Sequence, residues 1–130
     1  MSPTQRSLKL LRAEGYIAQV VEHFNYFARV RVDLFGVIDI VAIRADLPGV
    51  LGVQCTSASN AAARLEKARN RPELKVWLQA NNRFEVHSHG KRGDRGKRKL
   101  WTCVKREIRL SGFVTDALET DRGYDDVRPD

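Results

Sequence analysis

A chain of 130 residues, 42% hydrophobic and 30% charged, holds enough apolar material for one core, and no shift in composition asks for a second domain. Its 23 Lys and Arg against 16 Asp and Glu leave a formal charge of +7, which favours a polyanionic partner. No apolar run approaches the roughly 18 residues a bilayer requires, no signal-peptide pattern opens the chain, and the 2 cysteines, Cys55 and Cys103, supply neither a disulfide framework nor metal-ligand spacing, so a soluble, cytoplasmic protein is expected.

Ser2-Pro3-Thr4-Gln5 joins an N-cap serine to a first-turn proline and predicts a helix start. Leu8, Leu10 and Leu11 give that helix its apolar stripe, and Gly15 ends it near Glu14. Residues 16–22 read as a strand that leads into the aromatic stretch His23-Phe24-Asn25-Tyr26-Phe27. Residues 29–36 then deliver the chain to its most apolar part. Within them Asp33 has two readings, an Asx-type turn with Gly36 or a place beside Asp39.

Residues 37–44 and 50–56, joined by a turn at Ala45-Asp46-Leu47-Pro48-Gly49, read as a β-hairpin apolar on both faces, which belongs in the middle of a sheet. Asp39, Gln54 and Thr56 interrupt that run. Alternation puts Gly52, Gln54 and Thr56 on one face, with Leu51, Val53 and Cys55 on the other. Pairing through the turn brings Asp39 close to Gln54, where their oxygens are suited to a divalent cation; the competing reading is a carboxylate that pairs with an arginine or caps a turn.

Ser57 and Ser59 are candidate caps for a helix over residues 60–70, with Ala61, Leu65 and Ala68 inward and Arg64, Lys67 and Arg71 sharing another face. Pro72 opens a second helical piece that turns Leu74, Trp77 and Leu78 to the core, and Asn81-Asn82 closes it. Residues 83–89 alternate as a strand whose His87 and His89 share a face. With no third ligand near in sequence, nucleic-acid contact or plain exposure is preferred for them over a metal. Lys91, Arg92, Arg95, Lys97, Arg98 and Lys99 then make a glycine-punctuated basic finger before a strand over residues 100–110.

From Arg64 to Arg109 there are 15 Lys and Arg against 5 Asp and Glu, whereas Asp116 to Asp130 holds 6 acids and 2 arginines. A DNA-binding surface over the basic stretch is therefore expected. Residues 111–130 are read as a short helical turn and an acidic, frayed tail that masks the basic face in the absence of a polyanion.

Helix, strand, central hairpin, helix, strand, strand, with Gly36-Val37-Ile38-Asp39-Ile40-Val41-Ala42-Ile43 and Gly52-Val53-Gln54-Cys55-Thr56-Ser57 at its centre, resembles the PD-(D/E)XK, or restriction-endonuclease-like, superfamily. The chain looks most like its small Holliday-junction-resolvase-like and phage-encoded members, over roughly residues 5–107. The resemblance implies an α/β domain over residues 1–110, an αβββαβ core with a mixed central sheet flanked by helices, in the cytoplasm of a bacterial or phage-infected cell. It also implies DNA as partner, allows a homodimer, and implies hydrolysis of phosphodiester bonds with Mg²⁺ or Mn²⁺ held by Asp39 and a second acid, a lysine following two residues later.

Here Gln54 stands at the acid's position and Thr56 at the lysine's. Gln54 still offers a neutral oxygen to a hard cation, but Thr56 cannot replace an ammonium charge. Lys67 is the candidate displaced lysine, and Glu22, Glu14 or Asp33 the candidate source of the missing negative charge. The function so implied is a divergent Mg²⁺-dependent endodeoxyribonuclease, with branched DNA among its candidate substrates. The alternatives are a catalytically inactive DNA-binding protein and a factor whose basic face docks onto an acidic protein.

Overall fold

The computed structural model describes the backbone of residues 1–122 and the side chains of residues 1–111. Helix α1 (Pro3–Ala13) starts as its sequence requires, with Ser2 Oγ accepting from the Gln5 N–H at 3.2 Å. Its last turn is closed by Glu14, after which Gly15 takes φ +91°, a left-handed conformation that a side chain would strain.

Strand β1 (Ile17–Val20) follows, then a separate small hairpin of β2 (His23–Asn25) and β3 (Val30–Val32). The apolar centre forms β4 (Ile40–Ile43) and β5 (Leu51–Ser57), antiparallel with Ile40 opposite Val53. A 3₁₀ turn over Ala58–Asn60 leads into α2 (Ala61–Arg69), and Pro72 separates it from α3 (Pro72–Gln79). Ser57 and Ser59 hydrogen-bond each other, and neither caps a helix through its side chain. Strands β6 (Arg83–Arg92), β7 (Leu100–Arg109) and β8 (Gly112–Arg122) complete a six-stranded sheet in the order β1-β4-β5-β6-β7-β8.

The β5–β6 pair is parallel, with α2 and α3 as its crossover, and the other neighbours are antiparallel. The sheet is therefore mixed. On one face Leu8 and Leu11 of α1 pack on Ile40, Ala42, Leu51 and Val53; on the other, Ala68 of α2 and Leu74 of α3 pack on Val37, Ile38, Phe84, Val86 and Ile108. Each fully buried Leu, Ile, Val or Phe among them contributes about 1.5–3 kcal/mol. Among the described residues, no helix is long and apolar enough to cross a membrane.

The chain beyond residue 110 differs from expectation. Instead of a helical turn and tail, Gly112–Arg122 continues the sheet as β8 along the edge of β7. Register shifts between Lys105 and Arg109 break the strict pairing, and the acidic residues obscure the β-branched content in the sequence. Residues 123–130 and the side chains from residue 112 on, hence the expected masking of the basic face, lie outside the described residues.

Candidate functional site

By their pairing, β1, β5 and β6 run in the same direction, so their C-terminal ends lie at one end of the sheet. That is where open α/β sheets place their ligands. Asp39 sits there at the entry to β4, its N–H donating to the Val53 carbonyl at 2.8 Å. The residue is only 3% exposed. Oδ2 accepts from the Cys55 N–H at 2.7 Å and from Gln54 Nε2 at 2.9 Å.

The backbone around Asp39 brings in two further acids. Its carbonyl accepts from the N–H groups of Val21 and Glu22 at 2.8 and 3.3 Å, which fixes Glu22 beside it. On the other side Leu34 bridges Ile38, and the turn between them carries Phe35 and Gly36 at φ +54° and +77°. The Gly36 N–H bonds the Asp33 main-chain carbonyl at 3.0 Å, so the turn does not consume the Asp33 side chain. Carboxylate oxygens of Glu22, Asp33 and Asp39 lie within 4.8 Å of one another. Burial, a hydrogen bond with Asp33 and the negative charges of Asp33 and Glu22 push the Asp39 carboxyl up to about 8, against the opposing Cys55 N–H.

Arg71, at the N-cap of α3, holds the turn in place: Nε and Nη2 donate to the Phe35 carbonyl at 3.3 and 3.2 Å. It also pairs with Glu73, so Arg71 has a structural role that its charge alone does not reveal. A Cβ on Gly36 would meet this guanidinium while occupying a left-handed φ. Gly36→Ala is therefore expected to destabilise the fold by about 1–2 kcal/mol. Denaturant unfolding checks this, and an unchanged midpoint would remove Gly36 from the account.

No family model, curated protein or solved structure matches this chain. The chemistry of the site is read from its own residues. Three convergent carboxylates, one of them buried, suit a hard divalent cation, and the Gln54 amide adds Oε1, a buried acceptor without a hydrogen-bond partner. The amide is turned the other way from the expectation, however, with its NH₂ rather than its oxygen toward Asp39.

Thr56 is buried two residues beyond Gln54, paired alongside Ser88 of β6. Lys67 is exposed on α2 next to the buried Ala68, and Arg64 is half-buried there. Glu14 is away from the acid cluster, ion-paired with Lys105. Lys91, Arg92, Arg95, Lys97, Arg98 and Lys99 are all exposed around the β6–β7 turn, at the same end of the sheet as Asp39.

The histidines depart from expectation. His87 and His89 are buried beneath α1, where Ser7 Oγ joins His87 Nδ1 at 3.1 Å and His89 Nε2 at 2.7 Å, and Glu85 Oε1 meets His87 Nε2 at 2.9 Å. They are neither exposed nor placed for nucleic acid, because α1 covers the face that alternation assigns to solvent. Cys103 completes a second group of possible metal-ligating atoms with them, a set that sequence spacing does not reveal. Burial, with the charges of His87, Arg6 and Lys105, pushes the His89 imidazole down to about 3.

Proposed function

We propose that the chain is a divergent metal-dependent nuclease that hydrolyses DNA phosphodiester bonds. One observation carries the reading: Asp39, Asp33 and Glu22 converge around a buried carboxylate at the sheet end that also bears the basic finger. Those acids would hold Mg²⁺ or Mn²⁺, with Gln54 Oε1 as a further donor after rotation of its amide. The bound cation supplies charge neutralisation at the phosphate and a more acidic water.

The chain's own residues do the rest. On holding a cation Asp39 would release its proton to solvent, and the Cys55 N–H would keep the carboxylate oriented. Arg71 keeps Asp33 in reach by clamping its turn. The finger from Lys91 to Lys99 engages backbone phosphates, so affinity falls with salt. Lys67 stands as the candidate for the lysine that Thr56 does not supply. The order α1, β1, β4, β5, α2, β6, with the β2–β3 excursion inserted, parallels the αβββαβ core and supports the resemblance.

The second reading, an inactive DNA-binding relative, is favoured by Gln54 and Thr56 standing in place of acid and lysine. One experiment separates the two. Plasmid and branched DNA are incubated with the parent or Asp39→Ala in Mg²⁺ or Mn²⁺. We expect metal-dependent products from the parent and a loss of at least about 100-fold in the variant. Equal cleavage by both would take Asp39 out of the mechanism. Salt-sensitive binding that survives Asp39→Ala, with no product from either protein, would establish the inactive reading.

A further inference from the structure

We propose that the β2–β3 hairpin is a base-stacking element that selects unpaired nucleotides beside the acid cluster, an inference that rests on the nuclease reading above. The hairpin's roots are the acids themselves, since Glu22 immediately precedes β2 and Asp33 immediately follows β3. Exposed Arg31 pairs with Glu22 at 3.3 Å and ties the hairpin to the site. Whatever the hairpin binds is therefore held next to the place where a cation would sit.

The tip is a built structure. Asn25 Oδ1 accepts from the N–H groups of Phe27 and Ala28 at 3.0 and 3.1 Å, and Arg29 closes the loop at φ +54°. On that frame Phe27 is fully exposed and Tyr26 is 82% exposed, while Phe24 packs edge-to-face on Tyr26 with ring centroids 5.0 Å apart. Among the described residues, nothing covers the Tyr26 and Phe27 rings. Apolar surface held out this far marks a binding surface.

Charge narrows the occupant. Residues 23–32 carry Arg29 and Arg31 and no Asp or Glu, so the rings are interleaved with cations only. Aromatic faces beside arginines match the two halves of a nucleotide, a flat base and an anionic phosphate. In a continuous duplex the base faces are hidden in the stack and reaching them requires unstacking, whereas single-stranded, gapped or flapped DNA presents them directly. The substrate class that fits is DNA with unpaired bases near the scissile phosphate.

Fluorescence anisotropy in EDTA, with a labelled single strand and a fully paired duplex of the same sequence at one salt concentration, tests binding apart from cleavage. The parent is expected to favour the single strand about tenfold or more. Tyr26→Ala/Phe27→Ala should lose that preference yet keep duplex affinity through the basic finger, with an unchanged circular dichroism spectrum; Phe27→Trp should retain it. An equal preference in the double variant overturns the assignment. So does a parent that sediments as a dimer without DNA when the double variant is monomeric, since the rings would then serve self-association.

The two readings also fail separately. Metal-dependent cleavage by a parent with no strand preference overturns the hairpin's role and leaves the cation site standing. A strand preference without cleavage under any metal supports the hairpin and overturns the nuclease reading.

Discussion

Asp39→Asn is expected to make the metal-free protein more stable at pH 8 and, in the same step, to abolish its response to Mg²⁺ or Mn²⁺. Burial and the neighbouring acids raise the Asp39 carboxyl from 3.8 to about 8, so the folded state binds a proton that the unfolded state releases. Stability on this account is full below about pH 4 and is lost as pH rises toward 8. Even half of the displacement, about 2 pH units, corresponds to about 3 kcal/mol.

Asparagine removes that dependence without changing the shape of the site. Its Oδ1 still accepts from the Cys55 N–H and Gln54 Nε2, and its NH₂ faces the acids without charge. The window that isolates Asp39 runs from about pH 7.5 to 8, where His89 is essentially neutral both folded and unfolded. Over it the parent's melting temperature should fall in EDTA and recover with Mg²⁺. The variant's should stay level and ignore the cation. A parent indifferent to divalent cations at pH 8 would sink the acid cluster as a metal site.

His87→Ala should produce the largest loss of folding stability of any single change considered, about 3–5 kcal/mol. Its ring is wholly buried and bonds Ser7 on one nitrogen and Glu85 on the other. Burial alone would raise the Glu85 carboxyl, but the hydrogen bond and charge of His87, with Lys105 and Arg83, outweigh it and hold the carboxyl below its ordinary range. Removing the ring leaves that carboxylate without its partner and opens a cavity beneath α1. Ser7→Ala removes only the shared hydroxyl and should cost about 1–3 kcal/mol.

Acid should act on the same network. The His89 imidazole is depressed in the folded state, so stability is present above the unfolded value of 6.5 and is lost as pH falls toward about 3. Urea unfolding of the parent and both variants at pH 7, repeated at pH 5, measures these effects. A loss below about 1 kcal/mol for His87→Ala would mean that the network is redundant with the surrounding packing.

Local chemistry made parts of this fold legible in the sequence. Ser2-Pro3 and Gly15 bound α1 because caps and left-handed turns depend on a few adjacent residues. The apolar hairpin and the nearness of Asp39 to Gln54 follow from a period of two and one turn. Asp33 and Glu22 were readable as candidate partners of Asp39, yet only the fold shows a main-chain carbonyl taking the turn and leaving the Asp33 side chain available.

Long-range burial was not legible. Glu85, His87 and His89 alternate like an exposed face, and nothing adjacent signals that Ser7, 80 residues from His87, lies over them. The edge strand β8 was hidden for a related reason, because its pairing to β7 is irregular and its residues are rich in acids. Arg71 was read by its charge alone, and its contact with Phe35, 36 residues away, was not legible.

Val20 pairs with Ile40 directly across the excursion that carries Glu22 and Asp33. Two of the three carboxylates in the cluster and the aromatic tip thus hang from one excursion between strands that already touch, so a change of length there displaces Glu22 and Asp33 together while β1 stays zipped to β4.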